Sequence, residues 1–239
     1  WSAAVALTDL VGNQSSYSNA QLAASGWPST ITVTSVPDTV GPTLTSFSRS
    51  PASLDVTNAG GSVTCTMGFS DTPAGVDTAS CQLTSPDQKY FASCSAAAPS
   101  SGNRQNGTFT CQAPIPRYSE PGIWTFLQVT ARDTVGNQAL PSSRPETVTV
   151  TDSNPDTTAP NVTSFDFNPK SVDVTAAPAS VTCTIKVTDN LAGVNIVSCS
   201  FASPSGLQTN GCGAFTPASG TRLNGTFQCS ATVPMFAEG

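Results

Sequence analysis

The feature that most constrains the fold is an internal repeat that carries every cysteine with it. Residues 38–47, DTVGPTLTSF, return at 156–165 as DTTAPNVTSF. The offset of 118 residues then runs without a gap, so that Cys65, Cys81, Cys94 and Cys111 fall on Cys183, Cys199, Cys212 and Cys229. Around them SVTCT at 62 matches SVTCT at 180, and NGTFTC at 106 matches NGTFQC at 224. One unit is therefore about 118 residues long. A second match joins different regions: residues 1–14, WSAAVALTDLVGNQ, are a relative of residues 124–138, WTFLQVTARDTVGNQ. Both read as a strand running into a tight turn. Trp1, Ala3, Val5 and Leu7 share one face of the first copy, and Leu127, Val129 and Ala131 are expected to do the same in the second.

The complete unit reads as seven short strands: near 44–56 with an interruption at Pro51, then 62–70, around 79–83, 90–95, 108–115, 123–132 and 146–151. In the second, Val63, Cys65, Met67 and Phe69 alternate with Thr64, Thr66 and Gly68. Alternation at this spacing, with nothing of helical period, indicates a two-sheet antiparallel sandwich.

Set on this unit, the chain has an unusual frame. Residues 1–37 hold only the last two strands, 38–155 a whole unit, and 156–239 the first five strands. Head to tail, the two partial units add up to one. Two explanations lead: a window from a longer covalent array, or a chain whose last domain is completed by the first two strands of the next copy; strands from a different partner, or an intramolecular ring, are the remaining alternatives. Either way the C-terminal part needs side chains equivalent to Trp1, Ala3, Val5, Leu7, Ile31 and Val33. At ~1.5–3 kcal/mol for each large apolar group, their absence rivals the ~5–15 kcal/mol stability of a whole domain. It also exposes strand edges.

The motifs D-T-x-x-P before the first strand, D-x-x-A-G-V after the second, and G-x-W leading into T-A-R-D-x-x-G-N resemble the tandem immunoglobulin-like repeats of extracellular surface and fibre proteins, of filament, mastigoneme or pilus type. The resemblance covers essentially the whole chain and implies an all-β fold of tandem immunoglobulin-like antiparallel β-sandwiches with intradomain disulfides. Its motifs are turn and strand signatures, which speak to architecture and not to activity. Unlike antibody domains, neither sixth strand carries a cysteine, so the usual bridge between second and sixth strands is replaced by others. Four cysteines per unit allow three connectivities. Cys199 and Cys212 lie symmetrically about Ser205-Gly206, and Cys81 and Cys94 bracket Asp87-Gln88 in the same way. This favours Cys81–Cys94 with Cys65–Cys111, whose strands are neighbours in an immunoglobulin-type sheet, and likewise Cys199–Cys212 with Cys183–Cys229. The competitor, Cys65–Cys81 with Cys94–Cys111, stays open.

Zinc does not suit these cysteines, because the chain has no histidine and no close C-x-x-C ligand pair. Disulfides imply an oxidising compartment, extracellular or at the cell surface. The net charge of -6 and the absence of a basic cluster exclude an electrostatic grip on nucleic acid. No apolar run approaches the ~20 residues of a membrane span. Without histidine there is no Ser-His-Asp or Cys-His arrangement, and no phosphate loop stands out, so no catalytic residue is assigned and the chain is not read as an enzyme.

Four sequons occur, at Asn13, Asn106, Asn161 and Asn224. Asn106 and Asn224 are the stronger candidates for N-linked glycan, because both are expected at an Asn-Gly turn just before the fifth strand. Ser/Thr near proline, as at Ser100-Ser101 and 157–160, are candidates for O-linked sugar. Asp71, Asp77, Asp133, Asp189, Asn137 and Asn190 fall at turns, where oxygen ligands can hold calcium. Turn capping accounts for the same residues, so neither metal nor cofactor is expected. The function these features imply is a structural subunit of an extracellular fibre or surface filament, glycosylated and partnered by copies of itself head to tail. The alternative is an adhesin or carbohydrate-binding stalk, whose apolar contact would come from Tyr17, Leu22 and Trp27.

Overall fold

A computed structural model describes residues 1–139 and 144–239. The chain divides into two compact units, residues 36–157 and residues 1–35 with 158–239. Elements are numbered along the chain. In the N-terminal segment, β1 (Val5–Thr8) and β2 (Gln14–Tyr17) pair antiparallel, and α1 (Asn19–Ala24) follows. The helix departs from the all-strand expectation. Its signal is the capping box Ser18-x-x-Gln21, in which the Ser18 side chain accepts from the Gln21 amide while the Gln21 side chain accepts from that of Ser18.

Residues 36–157 contain β3 (Thr43–Ser50), β4 (Ser53–Asp55), β5 (Gly61–Ser70), β6 (Val76–Thr84), β7 (Phe91–Ala96), β8 (Ser101–Gly102), β9 (Asn106–Ile115), β10 (Gly122–Asp133) and β11 (Thr147–Thr151). They form two sheets, in the orders β3-β5-β9-β8 and β4-β11-β10-β6-β7. All pairs are antiparallel except β4 with β11. Pro51 separates β3 from β4 and lets the chain change sheets. The two inner faces share one core, in which Val63, Cys65, Met67 and Phe69 of β5 oppose Trp124, Phe126, Val129 and Ala131 of β10.

Leu127 departs from the expected face: it is exposed, while Phe126 and Val129 on either side are buried. The register against β6 jumps there, from Phe126 opposite Leu83 to Gln128 opposite Gln82. Leu127 is thus the extra residue of a β-bulge, which shifts the alternation by one position.

The C-terminal residues repeat part of this plan with β12 (Asn161–Asn168), β13 (Ala179–Thr188), β14 (Val197–Ala202), β15 (Thr209–Ala214), β16 (Ser219–Gly220) and β17 (Asn224–Val233). One sheet runs β12-β13-β17-β16, and β14 pairs only with β15. β14 is shorter than its counterpart β6, which has β10 along its other edge. Among the described residues no helix is long and apolar enough to cross a membrane.

The cysteine pairing overturns the favoured connectivity. Cys65 does lie directly opposite Cys111, and Cys81 opposite Cys94, as their symmetry implied. The bonds run the other way: Cys65–Cys81, Cys94–Cys111, Cys183–Cys199 and Cys212–Cys229. Cysteines side by side on one sheet project in parallel towards the interior, whereas those on the facing sheet point back at them. In residues 36–157 both bridges therefore join β5 and β9 of one sheet to β6 and β7 of the other. The Cys81 and Cys94 sulfurs, in different bridges, are 4.0 Å apart. The four bridges fit an oxidising, extracellular or secreted environment.

Candidate functional site

Two places combine built geometry with unmet chemistry. The first is the inner face of the C-terminal unit, where Phe167, Val181, Phe201 and Val233 line a cavity of about 220 Å³ together with Gln208 and Glu238. The counterparts of Gln208 and Glu238 in the preceding repeat are Tyr90 and Glu120. There Trp124 fills the space: its ring meets Tyr90 at 6.0 Å, its Nε1–H donates to the Glu120 carbonyl at 3.0 Å, and it is fully buried. Phe165 is 54% exposed, whereas its counterpart Phe47 packs on Phe126 with ring centroids 4.9 Å apart. The cavity is thus lined in part by the counterparts of two residues that Trp124 contacts one repeat earlier.

In the N-terminal segment Trp1 aligns with Trp124. Trp1 is 84% exposed, and Val5, Leu7, Ile31 and Val33 are exposed as well. Ala3 also lies at the surface. The segment carrying Ile31 and Val33, expected as a seventh strand, forms only an isolated bridge among the described residues, Ser2 with Thr30. The Trp1 ammonium donates to the Ile31 carbonyl, and the Ile31 amide to the Trp1 carbonyl, both at 2.9 Å. The register is that of β10 with β11, where Trp124 faces Val148 and Thr125 faces Thr147. The turn is repeated too: Asp9 Oδ1 accepts from the Val11 and Asn13 amides at 2.9 Å each, as Asp133 Oδ1 accepts from Val135, Gly136 and Asn137. Residues 1–14 are one residue shorter than 124–138. The residue without a counterpart falls at the Leu127 bulge, so strict alternation of Trp1, Ala3, Val5 and Leu7 reproduces the buried set Trp124, Phe126, Val129 and Ala131.

The second place is acidic. Asp38 before β3, Asp71 after β5 and Asp133 at the end of β10 each bring a carboxylate oxygen within 4.8 Å of the others. Asp71 and Asp133 are buried. Asp38 Oδ2 accepts from the Ala74 amide at 2.9 Å. Asn137 Nδ2 donates to Asp133 Oδ2 at 2.8 Å and to the Asp38 carbonyl at 3.1 Å. Asp71 Oδ2 is buried with no hydrogen-bond partner. Burial first, then the negative charges of Asp38 and Asp133, push the Asp71 carboxyl up from its ordinary value against a hydrogen bond from the Gly75 amide. Burial acts upward on Asp133 too, but N–H groups of Asn137, Gly136 and Val135 outweigh it and hold that carboxyl low. Of the aspartates expected at turns, Asp77 stands apart, 3.7 Å from Arg104. Asp189 repeats the Asp71 position and accepts from Leu191 and Gly193. Asp38 was not singled out from sequence, although its recurrence as Asp156 in D-T-x-x-P was a signal.

Asn13, Asn106, Asn161 and Asn224 are all exposed. Asn106 and Asn224 do not sit in a turn, since they are the first residues of β9 and β17. Their glycines serve close packing instead: a Cβ on Gly107 would stand 2.3 Å from the Asn103 carbonyl oxygen, and one on Gly225 2.3 Å from that of Thr221. Comparison with known proteins finds no family model that matches the chain and no curated protein that matches it.

Proposed function

We propose that the chain is a structural subunit of an extracellular fibre or surface filament made of immunoglobulin-like domains running head to tail. A segment with the sequence of residues 1–37 completes the C-terminal unit, by strand complementation from a second copy or by covalent continuity in a longer array. The observation that carries this reading is the cavity at Phe167, Val181, Phe201 and Val233, at the position Trp124 fills one repeat earlier. The sheet orders of residues 36–157 fit an immunoglobulin-like sandwich with a replaced disulfide pattern.

The register of β10 on β6 assigns the pairs across the joint. In residues 36–157, Phe126 faces Leu83 and Ala131 faces Ala79. In the completed unit Ala3 would face Phe201, and Leu7 would face Val197. Phe201 returns part of the bulk given up at Ala3, and the Leu7–Val197 pair, larger than Ala131–Ala79, adds bulk further along the strand. Such a contact is heterologous and propagates unless its rotation closes a ring, and main-chain pairing along the free edge of β14 adds strand augmentation. Asn106 and Asn224 are the preferred glycan sites. The second reading, a ligand-binding stalk, draws on the edge-to-face pair Tyr17–Trp27 at 6.2 Å beside the half-exposed Trp27 ring, and a glycan array separates it from the first.

The test is light scattering on the oxidised full chain over a range of concentrations. Association into linear oligomers is expected, and the double variant Val5→Asp, Leu7→Asp should remain monomeric with its disulfides intact. A chain that stays monomeric at every concentration, or a variant that associates equally well, would overturn complementation.

A further inference from the structure

We propose that Asp38, Asp71 and Asp133 form a calcium site that ties the connector before β3 to the ends of β5 and β10. Calcium takes ~6–8 oxygen ligands at ~2.3–2.6 Å, so two oxygens on opposite sides of one ion stand about 4.6–5.2 Å apart. The three carboxylates already have oxygens within 4.8 Å of each other, and a shared ion fits with little rearrangement.

Turn capping explains Asp133 Oδ1, which takes three backbone amides. At Asp71 it accounts for the hydrogen bond from the Gly75 amide but leaves Oδ2 buried and unpartnered in a residue only 6% exposed. The charged groups that act on Asp71 are Asp38 and Asp133, both of its own sign. Two like charges beside a buried, unsatisfied carboxyl oxygen call for a cation. Asp133 Oδ2 receives one N–H, from Asn137, and a carboxylate oxygen has a second lone pair for an ion. The donors are all hard oxygens on loop ends and strand ends, a set that suits calcium better than a soft transition metal. With three carboxylates from flexible connections, affinity belongs with the weaker extracellular modules, Kd ~10⁻⁴–10⁻³ M.

The full oxidised chain, stripped with chelator, is dialysed to equilibrium against radioactive calcium. Saturable binding in that range is expected, and Asp71→Asn should remove one calcium per chain, as should Asp38→Asn. Asp77→Asn should leave binding unchanged. Calcium at 10 mM should raise the melting temperature of the wild type by several degrees and leave that of Asp71→Asn unmoved, with far-ultraviolet circular dichroism confirming that each variant is folded. Displacement by equimolar magnesium would overturn the choice of calcium. Absence of saturable binding, or the same stoichiometry in folded Asp71→Asn, would overturn the site.

Discussion

At the scale of single residues, the cysteines separate what spacing reveals from what it hides. The symmetry of Cys81 and Cys94 about 87–88 correctly anticipates that they face each other across a hairpin, because register along a pair of strands is a one-dimensional property. Which sulfur bonds to which depends on the sheet lying opposite, and no spacing within a strand pair reports that distance. Asp38 was hidden for the same reason, since its partners Asp71 and Asp133 belong to other strands. The sequons lie between these cases. Exposure of Asn106 was legible, but not its place as the first residue of β9 or the tight approach of Gly107 to Asn103. Both asparagines stand on the outer side of strands whose next inward residues are Phe109 and Phe227, so a glycan there would meet solvent. In protein from its native source, glycosidase treatment in heavy-oxygen water should label Asn106 and Asn224. If both remained unlabelled asparagine, neither is a glycan site.

At the scale of elements, all seven expected strands of residues 36–157 form, the first of them divided by Pro51 into β3 and β4. The two-residue β8 was missed, being too short to alternate. The bulge at Leu127 was also missed in β10, although the one-residue difference from residues 1–14 marks it. That difference makes a prediction. Deleting Leu127 should leave Trp124, Phe126, Val129 and Ala131 on the inner face, as their counterparts are arranged near the N-terminus. The cost should stay below about 2 kcal/mol, within the usual range for tolerated changes. Deleting Thr130 instead places Val129 next to Ala131 and turns one side of the strand outward, which should exceed the ~5–15 kcal/mol available to a domain. Denaturant unfolding of the two deletion variants checks this, and equal losses would refute the role given to the bulge.

At the scale of the whole molecule, the direction of the bridges decides how far each unit can stretch. Pulling on the two ends of the chain would draw out residues 36–157 from both sides, but no chain between bonded cysteines can lengthen. The bridges Cys65–Cys81 and Cys94–Cys111 span 16 and 17 residues. At ~3.3–3.6 Å per residue they withhold about 110 Å of contour, while the stretch between Cys81 and Cys94 stays free to pay out. Had Cys65 been joined to Cys111, everything between them would be withheld, about 160 Å on the same scale. Single-molecule pulling before and after reduction should therefore gain about 100 Å per unit, and a gain near 150 Å would contradict the Cys65–Cys81 and Cys94–Cys111 pairing. The bridges thus act as stops along the thread: β3, β4, β10 and β11 can be drawn out, while β5 with β6, and β7 with β9, stay tied together as two knots.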